Sequence, residues 1–330
     1  MKKIVSFFAN PSDTFNELNQ QAAQYAERLG FSYRWAPQSP FDAQNIIREL
    51  KDADVGIIDV ESYGDSIFKE IQGHTSLLIR FGVGFDQVDL PAASRHGIAV
   101  ARTTAANASG VAEMALTLIL AARRGLRPNR ISCIETGVWK RNVAHETAGN
   151  TVGIVGFGAI GRILARLCGG LGCRVLAYDP FPNVELAKEL GVELVSLDDI
   201  FTQSDAISIH VPYCKETHHI VDAKRLAQMK PTAVIVNTAR GNLIDEDALY
   251  DALKAHQICG AGLDVFAQEP LPTTSKLLEL DNLILSPHFS SQTVESLWNT
   301  YKMAIDIAND FFSGKQSPHI LNPDYKNFLG

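Results

Sequence analysis

The chain has 330 residues, 46% of them hydrophobic and 20% charged, and its formal net charge is −7. That length accommodates two domains with cores of their own, and the composition is that of a soluble globular protein. The acidic balance argues against a general nucleic-acid binder, which is normally basic, but local arginines can still hold a small anionic substrate.

The opening "MKKIVSFFANPSD" carries two lysines and an apolar run that stops at Asn10-Pro11, with no small-residue cleavage site after it. It reads as a first strand and not a signal peptide. β-Branched runs at 3–9, 31–36, 55–59, 76–81 and 98–102 then alternate with helical patterns. One of these, "TFNELNQQAAQYAERLG", ends at Gly30, a candidate C′ glycine. A long apolar helical stretch follows at 107–127. Its longest uncharged run, 114–122, is too short to span a bilayer as a helix.

A second series of strands is predicted at 151–156, 174–179, 206–211, 233–239, 260–266 and 282–287, with a short edge strand at 192–195. Ser196 with Asp199 resembles a capping box, and Asp245 precedes "EDALYDALKAH". A long helical stretch, 293–314, follows the last strand. Such alternation predicts an α/β fold with two doubly wound parallel-sheet domains. The five cysteines, Cys133, Cys168, Cys173, Cys214 and Cys259, lack metal or redox spacing. Reduced thiols in a cytoplasmic protein are the simplest reading.

"TVGIVGFGAIGR" (151–162) sets Gly156, Gly158 and Gly161 between a predicted strand and a helix, the context a dinucleotide fingerprint requires. Gly156 permits the tight turn, Gly158 lets the backbone approach a pyrophosphate, and Gly161 lets the helix pack on the strand. The amides near Ala159 and Ile160 would face the phosphates at the positive helix end. Asp179, at the end of the next strand, would accept hydrogen bonds from the ribose hydroxyls. A carboxylate there repels a 2′-phosphate, so the cofactor expected is NAD. The fingerprint begins halfway along the chain, so its domain is inserted in the first. Near the far end stands "NLILSPHFSSQT" (282–293), where His288 taken alone reads as an ordinary turn histidine.

These motifs, together with "RFGVGFDQVDL" (80–90), "NASGVAEMALTLIL" (107–120), "HVPYCKETHHIV" (210–221), "VNTARGNLIDEDAL" (236–249) and "GLDVFAQEPLP" (262–272), resemble the NAD-dependent D-isomer-specific 2-hydroxyacid dehydrogenases. The resemblance runs from about residue 76 to 293. It implies a flavodoxin-like substrate-binding (catalytic) domain, 1–101 completed by 291–330, with an inserted Rossmann NAD-binding domain at 102–290. It implies a catalytic Arg240, Glu269 and His288, all just beyond the carboxyl ends of predicted strands, the edge where open α/β sheets bind ligands. Arg240 would grip the carboxylate and keto oxygen of a 2-keto acid, helped by the backbone amides of Val83 and Gly84. His288 would exchange the proton with the substrate oxygen, and Glu269 would orient its ring and favour the charged form. No metal is implied.

The resemblance also places His210, Val211 and Pro212 near the adenosine, with Thr217 in the following turn. It places Thr238 and Ala239 beside the nicotinamide, and Val111 packed against its ring. Asp264 matches a carboxylate that contacts the carboxamide; the alternative is a strand-end carboxylate that caps a nearby loop. Phe7, Phe8, Asn10 and Tyr63, near strand ends, are candidate substrate side-chain contacts. Where relatives often have glycines after the histidine, this chain has Phe289, Ser290 and Ser291.

The expected partners are a small 2-keto or 2-hydroxy acid and a second copy of the chain. Neither nucleic acid nor a membrane is expected. The stretch 125–141 resembles a dimerisation arm of the NAD-binding domain, with Trp139 at the interface or else packed within its own chain. Two other functions share the fold: an NAD-sensing, corepressor-like binding protein, and a dehydrogenase acting on formate or phosphite.

Overall fold

The computed structural model describes residues 1–8, 12–38, 41–139 and 141–328. The chain divides into two compact units, Met1–Asn107 with Thr293–Gly330, and Ala108–Gln292. The first boundary falls after Asn107 rather than after residue 101, because the segment past the fifth strand stays tied to the first sheet. The Thr103 amide donates to the carbonyls of Arg80 (3.3 Å) and Gly82 (3.2 Å), and its hydroxyl accepts from the Gly82 amide at 2.8 Å. The second falls at 293 rather than 291, because residues up to Gln292 fold back on the loop that holds His288, with the Gln292 amide on the Phe289 carbonyl at 2.8 Å.

Among the described residues, the first unit is built on a five-stranded parallel sheet. Its strands are β1 (Lys2–Ser6), β2 (Phe31–Trp35), β3 (Val55–Ile58), β4 (Leu77–Arg80) and β5 (Ala99–Arg102). Their order is β2-β1-β3-β4-β5, the flavodoxin-type order. β3 and β4 are buried along their whole length because helices cover both faces. Alternate residues feed separate cores. Ile4, Ile57 and Ile79 join Phe15, Leu18 and Tyr301 on one face, and Val5, Ile58 and Leu78 join Ile46, Phe68 and Ala92 on the other. The helix Asp13–Arg28 is followed by Gly30 at φ +84°, as expected of a C′ glycine. The open edge of β5 is covered by residues 319–322: Leu321 donates to the Val100 carbonyl at 2.8 Å, and the Val100 amide donates to the Asn322 side chain at 2.7 Å.

The second unit holds a seven-stranded parallel sheet in the order β12-β11-β10-β9-β6-β7-β8. Its strands are β6 (Thr151–Val155), β7 (Arg174–Tyr178), β8 (Val192–Leu194), β9 (Ala206–Ile209), β10 (Val234–Asn237), β11 (Gly260–Leu263) and β12 (Leu283–Leu285). The order reverses between β6 and β9, and in such sheets the crevice past the carboxyl ends at that point receives the ligand. β10 and β11 end earlier than the sequence predicts, at Asn237 and Leu263. Thr238–Arg240 and Asp264–Glu269 therefore lie in loops at that edge. Ser196 and Asp199 form the expected capping box, with the Ser196 hydroxyl accepting from the Asp199 amide at 3.1 Å.

The apolar helix Ala108–Arg123 packs against this sheet, and Gly262 makes room for it. A Cβ at 262 would lie 2.9 Å from Leu118 Cβ. Beyond it come a short helix, Leu126–Asn129, and a π-helical turn, Arg130–Glu135. Large apolar side chains in this stretch stand in the open, so Trp139 is not packed within its own chain. Among the described residues no helix is long and apolar enough to cross a membrane.

Candidate active site

Arg240, Glu269 and His288 all fall on loops at the carboxyl edge of the second sheet, after β10, β11 and β12. Nδ1 of His288 lies 2.7 Å from Oε2 of Glu269. The other oxygen of Glu269 accepts from the Phe266 amide at 3.0 Å, which fixes the carboxylate from its own loop. Burial alone would push the Glu269 carboxyl up. The hydrogen bonds from His288 and the Phe266 amide, with the charges of His288 and Arg240, outweigh this and hold it below the usual carboxylate range. Arg240 anchors one guanidinium nitrogen on the Ala239 carbonyl at 2.7 Å. Its loop is braced by Asn237, whose amide donates to the Arg240 carbonyl at 2.8 Å and whose oxygen accepts from the Ala239 amide at 3.0 Å.

The sequence reading missed what holds these loops together. A Cβ at Gly241 would lie 1.9 Å from the Phe266 carbonyl carbon. Only glycine therefore lets the Arg240 loop pass the loop that leads to Glu269. Its one signal was the glycine that follows Arg240 in "NTARG".

Asp264, expected at the carboxamide or else as the cap of a nearby loop, is fully buried, and both its oxygens meet the loop that carries His288. Oδ1 accepts from the Ser286 hydroxyl at 2.6 Å and the Phe289 amide at 3.1 Å. Oδ2 accepts from the Ser290 amide at 3.0 Å and from the Ser290 hydroxyl. These four donors match the roughly four acceptor sites of a carboxylate, so Asp264 caps this loop.

Around β6 the residues fit a dinucleotide. Gly156 adopts φ +102°, and a Cβ there would lie 2.7 Å from the His210 backbone. A Cβ on Gly161 would meet the Gly156 carbonyl oxygen at 2.2 Å, whereas one on Gly158 would meet nothing within 4 Å. The space beside Gly158 is open, and no side chain caps the helix Ala159–Gly170 that starts there. The first-turn amides of Ala159 and Ile160 are thus left for an outside acceptor, and a pyrophosphate supplies one. Asp179 directly follows β7 and ties the turn together, accepting from Phe157 N and Phe181 N at 2.8 Å each.

The other residues expected to touch the cofactor are placed as follows. Val211 is buried and Pro212 exposed. Thr217 closes its own turn, with its hydroxyl on the Pro212 carbonyl at 2.8 Å. Burial pushes the His210 imidazole down to about 4; its Nε2 meets the Ser208 hydroxyl at 2.8 Å. The buried Thr238 hydroxyl has no hydrogen-bond partner, an orphan that suits a bound group. Val111 lies buried in the helix Ala108–Arg123.

In the first unit, Val83 and Gly84 occupy the turn after β4. Arg102, which the sequence reading did not single out, braces this turn by donating to the Val83 carbonyl at 3.3 Å and lying over the Phe85 ring. Phe7, Phe8 and Tyr63 are core residues and not pocket lining. They are 2%, 9% and 0% exposed, because helices close both faces of that sheet. Asn10 lies outside the described residues.

A family model described as "D-isomer specific 2-hydroxyacid dehydrogenase, NAD binding domain" matches residues 116–290. The chain is 36% identical over 297 residues to a glyoxylate reductase of Korarchaeum cryptofilum, covering 88% of this chain and 89% of that one. It is 42% identical over 244 residues to a D-3-phosphoglycerate dehydrogenase of Synechocystis, covering 73% of this chain but only 43% of that protein. Relative to such longer relatives the chain spans about half the length. Among solved structures, a D-2-hydroxyisocaproate dehydrogenase superposes with a TM-score of 0.86 at 27% identity, over 97% of this chain and 99% of that one.

Proposed function

This chain belongs to the D-isomer-specific 2-hydroxyacid dehydrogenases, NAD-dependent oxidoreductases, and we propose that it interconverts a small 2-keto acid and its D-2-hydroxy acid. The observation that carries this reading is the His288–Glu269 pair, set on the same sheet edge as Arg240. NADH, held at the cradle of Gly156, Gly158 and Gly161, would supply the hydride when bound. The Arg240 guanidinium forks the carboxylate and keto oxygen of the substrate. In the first unit, the amides of Val83 and Gly84 have no partner among the described residues and stay candidates for holding a carboxylate. Nε2 of His288 delivers a proton to the oxygen as charge develops there. Glu269 keeps the ring in place from the Nδ1 side. In the oxidative direction the neutral ring accepts the proton.

The glyoxylate reductase relative suggests starting with the smallest keto acid. A panel of glyoxylate, hydroxypyruvate, pyruvate and branched 2-keto acids, each with NADH, tests the reading directly. Turnover of at least one to a D product supports it. No turnover of any, with NAD-dependent oxidation of formate or phosphite instead, would replace it. We further propose that the chain is cytoplasmic and pairs as a homodimer through the exposed apolar arm of its NAD-binding unit.

A further inference from the structure

The loop after β12 bends sharply at His288. This residue adopts φ +49°, the left-handed region that a non-glycine residue rarely enters. Its amide donates to the Asp264 carbonyl at 2.7 Å and to the Ser286 carbonyl at 3.1 Å. The Asp264 side chain then closes the bend from below, receiving Ser286 on one oxygen and Ser290 on the other. Ser290 is 4% exposed, so its hydroxyl has no water to turn to. These two serines flank the histidine and are pinned to one carboxylate.

We propose that Ser290, with Ser286, is a positioning residue for proton transfer: the two hydroxyls lock the His288 bend onto Asp264 and so hold the imidazole where Glu269 and the substrate oxygen can both reach it. The inference rests on the proposed role of His288 as proton donor. A glycine would leave the bend free to relax. Ser290 adds a second hydrogen bond to Asp264 Oδ2 beyond the one from its amide. Both serines follow β12, whereas the glycine cradle follows β6, so their loss is expected to leave pyrophosphate binding intact. The charged groups that bear on the ring within this unit are Glu269 at Nδ1, Arg240 near Glu269, and Asp264 beneath the bend.

The test uses Ser290→Ala and Ser286→Ala beside His288→Ala, with the best keto acid of the panel. The readouts are kcat, the NADH dissociation constant from fluorescence quenching, and the solvent isotope effect on kcat. Each serine variant is expected to bind NADH within about twofold of the parent chain and to lose about 10- to 100-fold in kcat, the range produced by misplacement of about 1 Å. Its solvent isotope effect should rise, because the misplaced imidazole makes proton transfer more limiting. A general loss of structure would not raise it. Should Ser290→Ala fail to fold, Ser286→Ala decides, since Ser286 is only half-buried. Both serine variants at parental kcat, with His288→Ala inactive, would overturn this inference and leave the proposed function standing. So would a kcat loss that tracks lost NADH binding with an unchanged isotope effect. An active His288→Ala removes the proposed function and this inference together.

Discussion

Oε2 of Glu269 lies 2.7 Å from Nδ1 of His288, which leaves the other ring nitrogen, Nε2, for the proton exchange we propose. Replacing the carboxylate by an amide keeps the shape but allows the amide to donate to the ring, favouring the wrong tautomer. Glu269→Gln is expected to lower kcat by about 10- to 100-fold, and His288→Ala by roughly 10²–10⁴-fold, the usual worth of a positioned acid–base group. The pair also bears on stability. The folded carboxyl titrates below its ordinary value of 4.5, so its contribution is present above the unfolded value and lost as pH falls through the folded one. Urea unfolding of the parent chain and Glu269→Gln should therefore differ at neutral pH and converge as the pH falls through the lowered folded value. A gap that persists or widens in acid contradicts the pairing.

Arg240 is expected to act on substrate and not on nucleotide. Removing a guanidinium from a buried charge pair costs about 2–5 kcal/mol, or roughly 30- to 5,000-fold in kcat/KM. Arg240→Ala should show that loss with unchanged NADH binding. Arg240→Lys keeps the charge but not the planar fork and should fall between. Steady-state kinetics with a fluorescence titration check this, and full activity in Arg240→Ala would withdraw the assignment.

Two glycines should respond oppositely to the same change. At Gly158 a Cβ meets nothing within 4 Å, whereas at Gly241 it would lie 1.9 Å from backbone. Gly158→Ala should keep its melting temperature but lose NADH affinity, because the methyl fills the space a pyrophosphate needs. Gly241→Ala should lose about 1–3 kcal/mol or more, since overpacking here can be relieved only by moving backbone. It should also disturb Arg240 and Glu269 together. Thermal unfolding and NADH titration of both variants separate the effects; a destabilised Gly158→Ala with normal affinity contradicts the cradle.

Asp179 sets nucleotide choice by charge. A ribose 2′-phosphate would approach a carboxylate whose neighbours, Pro180, Phe181 and Pro182, offer no cation. The kcat/KM with NADH should exceed that with NADPH by at least about 100-fold, a difference of some 2.7 kcal/mol. Asp179→Asn should narrow the gap by removing the repulsion while retaining one acceptor for the Phe157 or Phe181 amide. Equal efficiency of the parent chain with both nucleotides rules the assignment out.

What the sequence made legible was local. The fingerprint could be read because Gly156, Gly158, Gly161 and the strands around them lie in one continuous stretch, and each glycine's duty follows from that stretch alone. The strand order could be anticipated as doubly wound because strands and helices alternate. The bonds of Asp264 to Ser286 and Ser290 were not legible, because these residues meet only through the pairing of β11 with β12. The contact of Gly241 with Phe266 likewise arises between neighbouring strands, and no spacing announces it. Phe7, Phe8 and Tyr63 sat near strand ends and so looked available. Only the helices on both faces of the first sheet reveal them as core.

Among the described residues, the arm beyond the helix Ala108–Arg123 exposes large apolar side chains. Ile134 is 73% exposed, Val138 and Trp139 are each 69% exposed, and Val143 is fully exposed. Scattered apolar residues are ordinary on a surface, but several large ones along one segment mark an interaction site. A second copy of the chain is the occupant we propose, because a two-fold pairing lets the same arm serve both subunits. Light scattering should then give twice the 36.1 kDa mass of the chain. Ile134→Glu with Trp139→Glu places charge where the partner would bury apolar surface, which should produce monomers that still bind NADH. A parent chain of single mass at micromolar concentration would reject the pairing. A double variant that remains dimeric would move the interface elsewhere.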